Sequence, residues 1–141
     1  MFDNQYTMFF KAIKKNNLKV VFRTMHEMNG GRYPRSSNPA LFKKARVHVR
    51  DLSRKVGLST GDILFDMSVN HWDMPTKGTP SQSARLIPCQ LQYKAKLNCY
   101  TFEDYYPGDK YVDLMGFTFY NRGKGNSDRL RMRPQEIVNE K

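Results

Sequence analysis

Apolar positions in the first half of the chain follow two different periods. Phe2, Tyr6, Phe9, Phe10 and Ile13 recur at spacings of 4, 3, 1 and 3, which puts them on one side of a helix. Asp3 is its expected N-cap, and Asn16-Asn17 its expected end. Leu18 to Met25, short and rich in β-branched residues, reads as a strand, followed by a loop at Asn29-Gly30-Gly31 and Pro34. The next helix carries the fullest set of local signals. Asn38 suits the N-cap, and Pro39 the first helical position, where a missing N–H costs nothing. Leu41, Ala45, Val49, Leu52 and Val56 then step by 4, 4, 3 and 4 as the apolar stripe, with the charged residues between them on the solvated side. Gly57 stands where a left-handed terminator is wanted.

A second strand is expected from Ile63 to Val69 and a third from Tyr111 to Tyr120. Between them, from Asn70 to about Tyr106, the pattern is irregular and broken by Pro75, Pro80 and Pro88, with room for one helix from Ala84 to Leu97. The order helix–strand–helix–strand–loop–strand argues for βα units and a parallel sheet. The strands read as continuous apolar runs, which suits burial on both faces. Residues 1–121 form the organised region, and residues 122–141 a polar, basic tail with at most a helix starting at Pro134. No internal repeat is visible.

Composition narrows the function classes. The chain has 141 residues, one domain or part of one, and its 39% hydrophobic content supports a packed core. No apolar run approaches the roughly 18 residues needed to span a bilayer, and the N-terminal stretch has no signal-peptide pattern. Cys89 and Cys99 fit neither a disulfide scaffold nor a zinc spacing, and no spacing implies a cofactor. The net charge of +11 points to anionic partners. Its two concentrations are Arg35 to Lys55, with a local excess of 6, and Arg122 to Arg133, with a local excess of 4. A basic nucleic-acid binder is the weaker reading of that charge, because neither group is accompanied by an aromatic platform or a Gly-rich loop.

The residues that carry chemistry follow the first strand, in Arg23-Thr24-Met25-His26-Glu27-Met28-Asn29-Gly30. A parallel strand's C-terminal end is where α/β folds display reacting groups. His-Glu invites a zinc-protease reading, but that motif needs a second His where Gly30 stands. A single Glu there, beside His and Asn and ahead of an aromatic-bearing loop, suits a glycosidase acid/base. The bland alternative is a Glu that caps the next loop. Asp109 and Asp113 form another carboxylate pair, at the start of a strand, where stability and not catalysis is expected. His48 is expected to be a packing residue on its helix.

The run from Val20 to Val49 resembles the fourth strand, loop and helix of glycoside hydrolase family 26, best known for β-mannanases. The resemblance rests on Phe22, Arg23, His26, Glu27, Met28, Asn29, Gly30, Tyr33-Pro34, Asn38-Pro39, Phe42, Ala45, His48 and Val49. Asp66 to Asn70 is similar to the end of the family's fifth strand, and Tyr105 to Asp113 with Gly116 and Tyr120-Asn121 to its sixth. The resemblance implies the central portion of a (β/α)8 TIM barrel, about three parallel strands, in a retaining endo-β-mannanase-type hydrolase of β-1,4-mannosidic or related bonds. Glu27 then matches the general acid/base, His26 its neighbour in the catalytic centre, and Tyr120 the tyrosine that orients the nucleophile. Arg23, Asn29, Tyr33, Asn70 and Trp72 would contact the substrate. The partner is a polysaccharide, β-mannan or a related glycan, together with another chain if one completes the barrel.

Two departures qualify that expectation. No residue of this sequence matches the family's nucleophile, so the chain alone is not expected to complete a double displacement. Arg32 and Arg35 flank the Tyr-Pro pair where tryptophans are common in the family, and Arg46 stands at a commonly aromatic place. A carbohydrate-binding or assembly remnant without chemistry is the alternative. Relatives of this type are generally exported, which leaves localisation unassigned.

Overall fold

The structure, a computed structural model, describes residues 2–28, 38–70, 100, 102–118 and 135. In chain order these form helix α1 (Asp3–Lys15), strand β1 (Val20–Arg23), helix α2 (Pro39–Lys55), strand β2 (Ile63–Asn70), the one-turn helix α3 (Phe102–Tyr105), a 3-10 turn (Asp109–Tyr111) and strand β3 (Leu114–Thr118). The sheet has the order β1-β2-β3 with both pairs parallel, in registers that include Val20↔Ile63 and Asp66↔Leu114. The protein is therefore mixed α/β with a small parallel sheet, as the alternating elements imply. The expected helix from Ala84 to Leu97, both cysteines, Phe119-Tyr120 and, except for Gln135, the tail lie outside the described residues. No helix among the described residues is long and apolar enough to cross a membrane.

Local signals set the helix ends. Asn38 accepts the Leu41 amide at 2.9 Å with Pro39 as the first helical residue, and Gly57 takes φ +84° past the end of α2. Asn38→Ala should therefore lower stability by about 1 kcal/mol, read as a lower urea midpoint with an unchanged slope. The N-cap of α1 is Phe2, not Asp3. Asp3 lies one position inside the helix, where its charge still favours the N-terminal end of the dipole, and its carboxylate meets His48 Nε2 at 2.9 Å. That hydrogen bond, with the nearby imidazole, holds the Asp3 carboxyl below its ordinary range. His48 is accordingly an exposed tie between α2 and α1 and not a packing residue.

Strands β1 and β3 are shorter than their apolar runs. The Leu18 amide is taken by the Ile13 carbonyl at the end of α1, and Met25 adopts φ +53°, so only four residues pair in β1. Tyr111 belongs to the 3-10 turn, which delays β3 to Leu114. Burial on β2 alternates in kind. Ile63, Phe65, Met67 and Val69 enter the two apolar clusters beneath the helices, whereas Leu64, Asp66 and Ser68 point to the other side. The expectation of two uniformly apolar faces is thus corrected: the face away from the helices is polar around Asp66.

The helices cover the first face through two clusters. Phe10 and Ile13 of α1 meet Val49 and Leu52 of α2, Leu58, Ile63 and Phe65 in one, and Met28, Phe42, Met67, Val69 and Tyr105 make the other. The buried stripe of α2 differs from the apolar one. Leu41 is 62% exposed, while Arg46, Arg50 and Ser53 join Phe42, Val49 and Leu52 inside. The two arginines enter because oxygen acceptors from distant segments await them. Arg50 donates to both carboxylate oxygens of Asp113, and its guanidinium lies 4.5 Å from the Phe65 ring centroid.

Candidate functional site

The site is built on the C-terminal end of the parallel sheet. Beyond Arg23 the ladder between β1 and β2 opens and then closes again with the Glu27 amide on the Ser68 carbonyl at 2.8 Å. From Val20 to Glu27 the first segment advances seven residues, while its acceptors advance six, from Asp62 to Ser68. One extra residue is accommodated, as in a bulge, and it re-aims the chain at the strand end. Met25 and Glu27 both take left-handed backbone, with φ of +53° and +52°. That conformation costs a non-glycine residue on the order of 1–3 kcal/mol, persists only where surroundings over-determine it, and clusters at functional sites. The surroundings here are the Ser68 carbonyl on one side and Met28, fully buried in the second cluster, on the other.

This turn leaves Glu27 4% exposed, and His26, the preceding residue, half-buried. Arg23 closes β1 in register with Asp66. Its Nε lies 3.8 Å from Asp66 Oδ2, and its terminal nitrogen donates to Thr118 Oγ1 on the far strand. Ser68 Oγ donates to Asp66 Oδ2 at 2.6 Å. Asn70 closes β2, paired in register with Thr118. The sequence-predicted Arg23, His26, Glu27 and Asn70 are therefore gathered at one end of the sheet. Asn29, Tyr33, Trp72 and Tyr120 lie outside the described residues.

The Arg23–Asp66–Ser68–Thr118 group spans all three strands on the face away from the helices, and of its members only Arg23 is a candidate site residue from the sequence. The period-2 placement of Asp66, Ser68 and Asn70 within an otherwise apolar strand was the available signal. Gly116 makes this group possible. A Cβ built there would collide with Ser68 Oγ and stand 2.9 Å from Asp66 Oδ1. Gly116→Ala should force both side chains aside and cost about 1–3 kcal/mol by overpacking, measurable as a lower melting temperature.

Arg46 lies on the opposite side of the same strand ends and is 2% exposed. Its Nη1 donates to the Thr24 carbonyl at 2.9 Å and the Asp66 carbonyl at 3.1 Å. Burial pushes the guanidinium down to about 10, with Asp66 pulling the other way and Arg50 adding to the fall. It stays charged at neutral pH. With Arg46 and Arg50 both inside, the positive stretch from Arg35 to Lys55 is less of a surface patch than its sequence suggests.

The carboxylates of Asp109 and Asp113 are tied into the local structure. Asp109 accepts the Tyr106 hydroxyl at 2.7 Å, and Asp113 accepts from Arg50 and from the Phe65 amide. Both sit ahead of β3, at the opposite end of the sheet from Glu27, as their place in the sequence implied.

Chemically, the arrangement offers one buried acidic residue on a fixed backbone at a sheet end that also carries His26 and Arg23. No family model matches this chain, and no curated protein is significantly similar to it.

Proposed function

We propose that this chain carries the acid/base half of a retaining glycoside hydrolase of the endo-β-mannanase type, its three strands being the fourth to sixth of a (β/α)8 barrel. One observation carries the reading: Glu27 is buried, left-handed and pinned to the Ser68 carbonyl at the C-terminal end of a parallel strand. Barrel enzymes display reacting groups at that end. A group that must hand a proton to a glycosidic oxygen gains from a fixed position and a shielded setting.

In this role the protonated Glu27 gives its proton to the leaving oxygen as the C1–O bond breaks, and the resulting carboxylate then draws a proton from water. His26 and Arg23, at the same strand end, would contact the sugar. The second carboxyl of the double displacement has no match in this sequence, so an external nucleophile replaces it in the test.

The full chain is incubated with β-1,4-manno-oligosaccharide and sodium azide. Azide nitrogen bonds to C1 as the C1–O bond breaks, Glu27 protonates the departing sugar oxygen, and the product is an α-mannosyl azide detected by mass spectrometry. Azide product above the protein-free rate, lost in Glu27→Gln, supports the reading. Oligosaccharide binding by calorimetry with no azide product supports a carbohydrate-binding protein instead.

A further inference from the structure

We propose that Arg46 is a positioning residue that sets the backbone presenting Glu27, a role that rests on Glu27 being the acid/base. The starting point is an imbalance in the core. Arg46 is among the largest fully buried side chains, yet among the described residues its Nε and Nη2 have no hydrogen-bond partner. A buried guanidinium with donors left over among the described residues is a poor way to fill space, since an aliphatic side chain of similar length carries no desolvation cost. Its retention calls for a task that an aliphatic chain cannot do.

The donor that Arg46 uses among the described residues shows where that task lies. Nη1 stands between the carbonyls of Thr24 and Asp66, where the ladder of β1 and β2 opens ahead of the extra residue. It bridges the Thr24 carbonyl, one residue past the last ladder pair, to the Asp66 carbonyl of that pair and so ties the two strand ends together. Met25 and Glu27 follow at once in their left-handed conformations, and the next rung is the Glu27 amide on Ser68. Arg46 thus grips the last carbonyl before the turn, and Ser68 grips the first amide after it. The turn between them is over-determined from both ends.

The test uses the full chain and two readouts. Amide hydrogen exchange compares the Glu27 amide with those of Phe10 and Leu52, which sit in α1 and α2. The azide reaction gives kcat and KM separately. In Arg46→Met the Glu27 amide should exchange about tenfold faster or more relative to the helical amides, as expected for a loosened hydrogen bond. The azide-assisted kcat should fall by roughly 100-fold, the scale of a misplacement near 1 Å, with KM nearly unchanged. Arg46→Lys, which keeps one cationic donor, should recover part of both. If Arg46→Met does not fold, Arg46→Gln takes its place with the same outcomes.

Unaltered relative protection of the Glu27 amide overturns the proposal. So does an equal loss at all three amides, which marks Arg46 as a general stabiliser only. A wild-type azide rate that ignores Glu27 removes the catalytic reading, and the exchange comparison then still decides whether Arg46 holds this backbone.

Discussion

Glu27→Gln is expected to slow azide-assisted cleavage of β-1,4-manno-oligosaccharide by about 100-fold or more, the usual contribution of a positioned general acid. The substitution keeps the shape of the side chain and removes only its transferable proton. Because Glu27 is fixed through its backbone amide and by Met28 packed behind it, the fold should survive the change. Circular dichroism and an unchanged denaturation midpoint would confirm that. The loss should be greatest with sugar leaving groups, whose oxygen needs a proton, and smaller with activated aryl leaving groups, which need little help. Loss of equal size for both substrate types would point to damaged binding. An undiminished rate with the sugar substrate would falsify the acid/base assignment.

The second large effect concerns stability. Breaking the Arg50–Asp113 pair from one side should cost about 3 kcal/mol, the lower end of the range for buried pairs, since Asp113 retains 15% exposure. Asp113 does more than form the ion pair. Its carboxylate accepts the Phe65 amide at 2.7 Å, its own amide donates to the Phe65 carbonyl at 2.9 Å, and Arg50 lies over the Phe65 ring. The approach to β3 is thereby fastened to β2 and α2 together. Arg50→Met leaves the carboxylate buried without its cation, and Asp113→Asn does the reverse. A double-mutant cycle by urea unfolding should return a coupling of similar sign and size.

The same pair sets a pH dependence. Burial raises the Asp113 carboxyl, but hydrogen bonds from Arg50 and Phe65 and the charges of Arg50 and Arg54 outweigh it, so the folded value lies below the ordinary one. A depressed carboxyl contributes stability that is present above its unfolded value, about 3.9, and lost as pH falls through the folded value. Wild type should therefore lose stability on acidification in that window, and Asp113→Asn should show a shallower slope there. Equal slopes would remove Asp113 from the acid response.

How far the sequence revealed all this depended on distance along the chain. The start of α2 was legible because Asn38, Pro39 and Leu41 are neighbours and their chemistry is local. The buried stripe of α2 was not, because Arg46 and Arg50 enter the core for acceptors at Thr24, Asp66 and Asp113, which no periodicity displays. Glu27 was legible as a type of residue at a strand end. Its left-handed backbone was not, since no glycine or asparagine occupies positions 25 to 27 to announce it. The polar row of Asp66 and Ser68 was half legible, hidden by an apolar run whose alternate members face opposite ways.

The left-handed turn also bears on which substitutions random change would favour. Glycine adopts φ near +50° freely, and asparagine does so more readily than glutamate. At position 27, drift toward either residue would therefore relax the backbone while discarding the carboxyl. A lineage selected for thermostability alone would be drawn in that direction, and under the proposed acid/base role the gain would arrive together with loss of activity. If Glu27 is the proposed acid/base, glutamate here is a trade in which a less comfortable chain serves what its side chain can do.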